Sequence, residues 1–243
     1  MVTAWQLPDA PLRTSVIGTN AVLLVVVALT AAAVQSPLHL SDHYPPKASG
    51  LFALVMLIAL GFVRAGHPFA RFGYANRMTA MRAAIVSLVA ALVDEPLTPA
   101  AATVAAVASV AAASLDGVDG WLARRTGMAS VFGARFDMET DALLIMALSV
   151  LAWQLGKAGG WIVLAGLLRY IFVVAGWMLP WMRRALAPSR RRKIVCVIQI
   201  VGLSLAILPQ IVPPASVELC AVLLATLGFS FLIDTLWLWR RIE

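Results

Sequence analysis

Four aspartates fall between positions 116 and 141, in two pairs: Asp116 with Asp119, and Asp137 with Asp141. Both pairs abut long apolar runs, which places the acids at or inside a membrane. A carboxylate near the bilayer centre costs roughly 3 kcal/mol on insertion scales, so four uncompensated ones would cost on the order of 10 kcal/mol. Bound cations are the obvious compensation. The stretch holds no His or Cys, and an all-oxygen donor set selects a hard cation, Mg²⁺ or Mn²⁺. Four carboxylates suffice for two divalent cations that share ligands. Such a pair can clamp a phosphate and stabilise both the entering and the leaving oxygen. Spacings of three and four keep each pair on one helix face. Gly120 and Ala123 share the face of the first pair, and Gly133 stands one turn before Asp137, leaving room for a substrate. Arg124 and Arg125 supply charge for phosphate. Glu139, two positions from each neighbour, points away. The residues alone describe a metal-dependent site for a phosphorylated substrate.

The elements that hold this site are apolar. Of 243 residues, 61% are hydrophobic and 13% charged, with mean hydropathy +0.89. A soluble domain averages about a quarter charged residues. The pattern predicts an all-α, polytopic membrane bundle, since lipid admits only helices or closed barrels and no alternating strands are seen. Eight spans are expected, near residues 16–34, 50–63, 83–93, 100–122, 133–155, 161–181, 194–208 and 217–238. Residues 35–49 read as a polar loop. Residues 64–82 read as a basic segment that includes a short interfacial helix. Thr98-Pro99 reads as a helix start.

The net charge of +7 reflects Lys and Arg at a membrane face rather than nucleic-acid binding. With both termini cytoplasmic, the basic segments lie inside and only Lys47 and Lys157 outside, as the positive-inside rule prefers. In that orientation Asp116 and Asp119 lie roughly 7 to 12 Å below Arg124, and Asp137 and Asp141 roughly 3 to 9 Å below Arg135. All four acids then sit just under the cytoplasmic interface. Cys196 and Cys220 read as small apolar residues, and His39 and His43 as solvated loop histidines.

The same stretch resembles the CDP-alcohol phosphotransferase family, whose motif is D-x-x-D-G-x-x-A-R, about eight residues, then G-x-x-x-D-x-x-x-D. Asp116, Asp119, Gly120, Ala123, Arg124, Gly133, Asp137 and Asp141 fill every position. The resemblance implies a six-helix core at 66–243, preceded by two extra helices in 1–65. It implies two divalent cations held by the four aspartates, with Asp141 also the general base. It further implies Gly120, Ala123, Gly133 and Arg124 at the nucleotide, a CDP-diacylglycerol donor, a small alcohol acceptor, CMP release and a homodimer in a bacterial inner membrane, with the site facing the cytoplasm.

A second similarity, N-R-M-T-A-M-R at 76–82, matches at Asn76, Thr79 and Arg82 the P-N-x-L-T-x-x-R of bacterial phospholipid synthases. It adds Asn76 and Thr79 to the donor side. The acceptor half departs from members that use glycerol phosphate. Arg169-Tyr170 stands for Arg-Glu, and Arg192, Lys193 and Gln199 are what remain of G-K-x-K-T-x-x-Q. Arg169, Arg192 and Lys193 are therefore the candidates for an anionic acceptor. Two alternatives stand beside this reading. One is a CDP-choline or CDP-ethanolamine transferase acting on a lipid alcohol. The other is a divalent-cation transporter, which would show inverted repeats and broken helices.

Overall fold

The computed structural model describes residues 7–240 except Gly127, Ala185, Ala187 and Pro188, and leaves aside the side chains of Ala65, of residues 117–124 and of Thr126. Among the described residues the fold is all-helical. The helices are α1 (Ala10–Gln35), α2 (Tyr44–Gly66), α3 (Gly73–Ala90), α4 (Pro99–Thr126), α5 (Val131–Gln154), α6 (Leu164–Met178), α7 (Arg190–Ala206) and α8 (Ala215–Trp239). Single 3-10 turns precede and follow α6, at Gly160–Val163 and Pro180–Arg183. Among the described residues, five segments are long and apolar enough to cross a membrane: Ala10–Gln35, Tyr44–Arg64, Pro99–Asp116, Gly160–Met178 and Ala215–Trp239. They mark an integral membrane protein. Helices α3, α5 and α7 are shorter or carry charged groups. The chain divides into two compact units, Met1–Asp141 and Ala142–Glu243.

In the first unit α3 packs along α4, while α1 and α2 pack on each other and on α3. Two sequence expectations change here. Residues 35–49 are not all loop, because α2 already begins at Tyr44. Pro45 and Pro46 fall in its first turn, where a missing N–H leaves nothing unpaired. Residues 64–82 are not a separate interfacial helix followed by a short span. Gly73 starts one helix, with φ +77°, that runs unbroken to Ala90. It buries Asn76, Thr79 and Arg82 on the same helix as Ala83, Val86 and Val89.

The expected start of α4 is present, with the Ala101 amide donating to the Thr98 hydroxyl at 3.2 Å. The turns at the far ends of these helices are tied together. The Glu95 carboxylate accepts from the Ser41 amide at 2.8 Å and the Ser41 hydroxyl at 2.9 Å. Lys47 donates to the Val93 carbonyl, and the Tyr44 hydroxyl to that of Leu88 at 3.1 Å.

The second unit repeats this device. Lys157 is buried, and its ammonium donates to the carbonyls of Leu208 (2.8 Å) and Ile211 (2.7 Å) just beyond α7. The Ser216 hydroxyl returns a bond to the Lys157 carbonyl at 2.7 Å. Small residues set the helix spacing: a Cβ at Gly166 would meet Met146 Cα at 2.6 Å, and one at Gly202 would meet Leu223 Cδ2 at 2.5 Å. Exposed tryptophans lie at both ends of this unit, Trp153 and Trp161 at one and Trp177 and Trp239 at the other. Trp181 packs edge-on against Trp239, with centroids 5.4 Å apart.

Candidate active site

Three helices of the first unit converge on the acids. Helix α4 brings Asp116, α5 brings Asp137 and Asp141 one turn apart, and α3 brings Arg82. Asp116, Asp137 and Asp141 each offer a carboxylate oxygen, and these oxygens lie within 4.8 Å of one another. Asp116 is buried, while Asp137 and Asp141 are partly open. Neither acid-bearing helix is interrupted, unlike the broken helices expected of a transporter. Glu139 is exposed, as its spacing predicts. The side chains of Asp119, Gly120, Ala123 and Arg124, all expected at this site, lie outside the described residues, although α4 runs through their positions.

Arg82 is the residue whose place here the sequence did not reveal. Its side chain is 1% exposed. One terminal nitrogen donates to Asp116 at 3.3 Å and also to Asp137, the other donates to Asp141, and Nε donates to the Ala112 carbonyl at 3.0 Å. A buried guanidinium is tolerated only when it is paired and hydrogen-bonded, and the three acids supply both. The match of N-R-M-T-A-M-R ends on this arginine, which was the available signal.

Asn76 and Thr79, expected on the donor side, are both buried. The Asn76 amide donates to the Phe72 carbonyl at 2.6 Å and lies 3.4 Å from His67 Nδ1. The Thr79 hydroxyl donates to the Ala75 carbonyl at 3.2 Å. His67 was not singled out from sequence. Its Nε2 faces the Arg71 carbonyl at 2.8 Å, which assigns the proton to Nε2 and leaves Nδ1 to accept from Ser130 Oγ at 3.1 Å. Ser130 in turn accepts the Gly133 amide at 3.0 Å and caps α5. This chain of bonds ties the entry to α3 to the helix that carries Asp137.

Gly133 belongs to the same junction. A Cβ there would lie 2.7 Å from Asn76 Oδ1 and 3.2 Å from Ser130 Oγ. The space is filled by Asn76, so the glycine allows α3 to approach α5. Gly133→Ala is expected to destabilise by ~1–3 kcal/mol through overpacking, less the ~1 kcal/mol that alanine returns as a better helix former. Thermal melting in detergent checks this, and a midpoint at or above wild type would show that Asn76 simply moves aside.

The acceptor candidates all lie in the second unit. Arg169 is half-buried within α6 and Lys193 is exposed in the first turn of α7. Arg192 reaches Asp234 of α8 at 3.2 Å, and Arg191 reaches the same carboxylate at 2.5 Å. Arg191 also donates to the Ser230 carbonyl at 2.6 Å and hydroxyl at 2.8 Å. Cations in the first turn oppose the helix dipole, and the buried Asp234 compensates two of them. Sequence reasoning did not single out Asp234.

The family model for CDP-alcohol phosphatidyltransferase matches residues 72–233, two thirds of the chain. The chain belongs to this family. No solved structure gives a significant match. Membership of the CDP-alcohol phosphatidyltransferase family carries transfer chemistry on a CDP-linked alcohol at a membrane. The match begins beside α3 and runs into α8, so it takes in Arg82 and the whole acid stretch. The three described carboxylates suit the divalent cations typical of the family: all donors are oxygens, and they are close enough to share one ion.

Proposed function

We propose that the protein is a phosphatidyltransferase that moves the phosphatidyl group of CDP-diacylglycerol to a small alcohol and releases CMP. The observation that carries this reading is the convergence of Asp116, Asp137 and Asp141, oxygens within 4.8 Å, on unbroken helices of a membrane protein. Asp116, Asp119, Asp137 and Asp141 would hold two cations, Mg²⁺ or Mn²⁺, which supply charge neutralisation of the donor's pyrophosphate when bound. Asp141 takes the proton of the acceptor hydroxyl. The alcohol oxygen attacks the phosphorus that bears the diacylglycerol oxygen, the bond from that phosphorus to the bridging oxygen breaks, and CMP departs with the electron pair.

Gly120 and Ala123 would make room for the nucleotide, and Arg124 would support the site electrostatically. Asn76 and Gly133 would shape the donor side through their contact between α3 and α5, with Thr79 one turn along α3 from Asn76. Residues 1–65, which hold α1 and all but the last residue of α2, are an addition to a core at 66–243. The site faces the cytoplasm of a bacterial inner membrane, with both termini on that side, and the protein is a homodimer.

Arg169, Arg192 and Lys193 are proposed to bind the acceptor. Arg169→Ala should raise the apparent KM for the acceptor by about tenfold, the worth of one charge-assisted hydrogen bond of ~1.5 kcal/mol, and leave that for the donor nearly unchanged. Kinetics with each substrate varied in turn check this, and the opposite pattern would place Arg169 on the donor side.

The engagement of Arg192 by Asp234 keeps the second reading open, a CDP-choline or CDP-ethanolamine donor with a lipid alcohol acceptor. The deciding experiment measures CMP release by the purified protein with Mg²⁺ or Mn²⁺. It uses CDP-diacylglycerol against a panel of alcohols, and CDP-choline or CDP-ethanolamine against diacylglycerol. Acceptor-dependent release in the first arm establishes the proposal, release only in the second replaces it, and release in neither rejects both.

A further inference from the structure

Arg82 touches the oxygens that a cation would need. Oδ1 of Asp116, Asp137 and Asp141 all accept from its two terminal nitrogens. A divalent cation binds carboxylate oxygens at roughly 2.1 Å. On these same oxygens it would sit in contact with the guanidinium. Both groups are positive, and burial limits the screening that water could give. They cannot share the three oxygens. The guanidinium does have a second hold, because Nε donates to the Ala112 carbonyl at 3.0 Å on α4, outside the carboxylate group. A pivot about that bond would release Asp137 and Asp141, the two more open acids.

We propose that Arg82 is a built-in counter-cation and that the divalent cations displace it from Asp137 and Asp141. Arg82 holds the acids together and compensates their charge until an ion arrives. It is then a positioning residue for the ion site, and it sets how tightly that site binds. The inference rests on the proposed reading of the acids as metal ligands.

The test needs no catalysis. Wild-type protein and Arg82→Gln are stripped with EDTA and titrated with Mn²⁺, with free Mn²⁺ read by electron paramagnetic resonance. Melting temperatures are measured in EDTA and in saturating Mn²⁺. Competition reduces apparent affinity by the fraction of time the site is available. Removal of Arg82 should therefore tighten Mn²⁺ binding about tenfold, as for a site about one-tenth available.

Arg82→Gln should also melt below wild type in EDTA, where its acids repel, and close that gap in Mn²⁺. Arg82→Lys serves the same test if the glutamine variant does not fold. It keeps the charge but lacks the fork that spans two carboxylates, and it should bind Mn²⁺ more tightly than wild type. Equal or weaker Mn²⁺ binding in the variants, or a melting deficit that persists in Mn²⁺, overturns the proposal and makes Arg82 a static support. Wild-type protein that takes up no Mn²⁺ overturns the metal reading of the acids, and this inference with it.

Discussion

Asp141→Asn is expected to lower CMP release by roughly 10²–10⁴-fold, the usual worth of a positioned general base, while nucleotide binding is partly retained. The amide keeps the shape of the side chain and one oxygen but cannot take the acceptor's proton. Unfolding should not be the cause. Asp141 is one of three carboxylates gathered around one guanidinium, so its loss removes like-charge repulsion and leaves Arg82 paired. The melting temperature should hold or rise, as is common when a strained active-site charge is removed. Excess Mn²⁺ should not restore turnover. Full restoration by Mn²⁺ would reduce Asp141 to a ligand and remove it as the base.

Asp137→Asn should fail differently. Asp137 accepts from the Arg82 nitrogen that also reaches Asp116, so it lies between the acid of α4 and the second acid of α5. Because Asp137 is proposed as a direct ligand, its loss should cost more than the ~10–100-fold in metal affinity that even an outer-shell partner costs. Mn²⁺ binding and CMP release should fall together, and high Mn²⁺ should recover part of the activity. Normal Mn²⁺ affinity in this variant would exclude Asp137 from the ligand set. Together the two variants separate ion binding from proton transfer: the Asp137 defect responds to ion concentration and the Asp141 defect does not.

The acids were legible because a helix folds spacings of three and four onto one face, a rule that needs no tertiary information. Asp137 and Asp141 share one face of α5 and Asp116 of α4 meets them there, while the pairing of Asp116 with Asp119 lies outside the described residues. Arg82 was not legible in the same way. In sequence it looks like a charge that closes a basic segment just before an apolar run, so α3 read as an interfacial piece followed by a short span. Its partners stand 34 to 59 residues away, and only their arrival turns an apparent interfacial charge into a core residue. Gly133 shows the complementary failure. Its small size was correctly noticed, but what fills the space beside it is Asn76 from another helix, which no local pattern contains. Tyr44-Pro45-Pro46 failed for a third reason. Proline usually signals a loop, yet in the first turn of α2 it costs nothing. Asp234 was missed because it stands several turns from Glu218, the other acid of α8, and so has no spacing partner of its own. Its partners are arginines 42 and 43 residues earlier.

The tryptophans at the two ends of the second unit have a consequence for the lipid around it. Indole rings settle at the headgroup level, so these rings fix how much of each helix the hydrocarbon must cover. The α6 span, Gly160–Met178, has 19 residues and is ~28 Å long, close to the ~30 Å of a bilayer interior. Helix α8 has 25 residues and is ~37 Å long. A helix longer than the hydrocarbon leans, kinks or thickens the bilayer. With Trp177 and Trp239 held at one interface, α6 matches the membrane upright and α8 must tilt. The bilayer thickness this unit tolerates without thinning is therefore bounded above by α6, and thinner membranes would be met by both helices tilting.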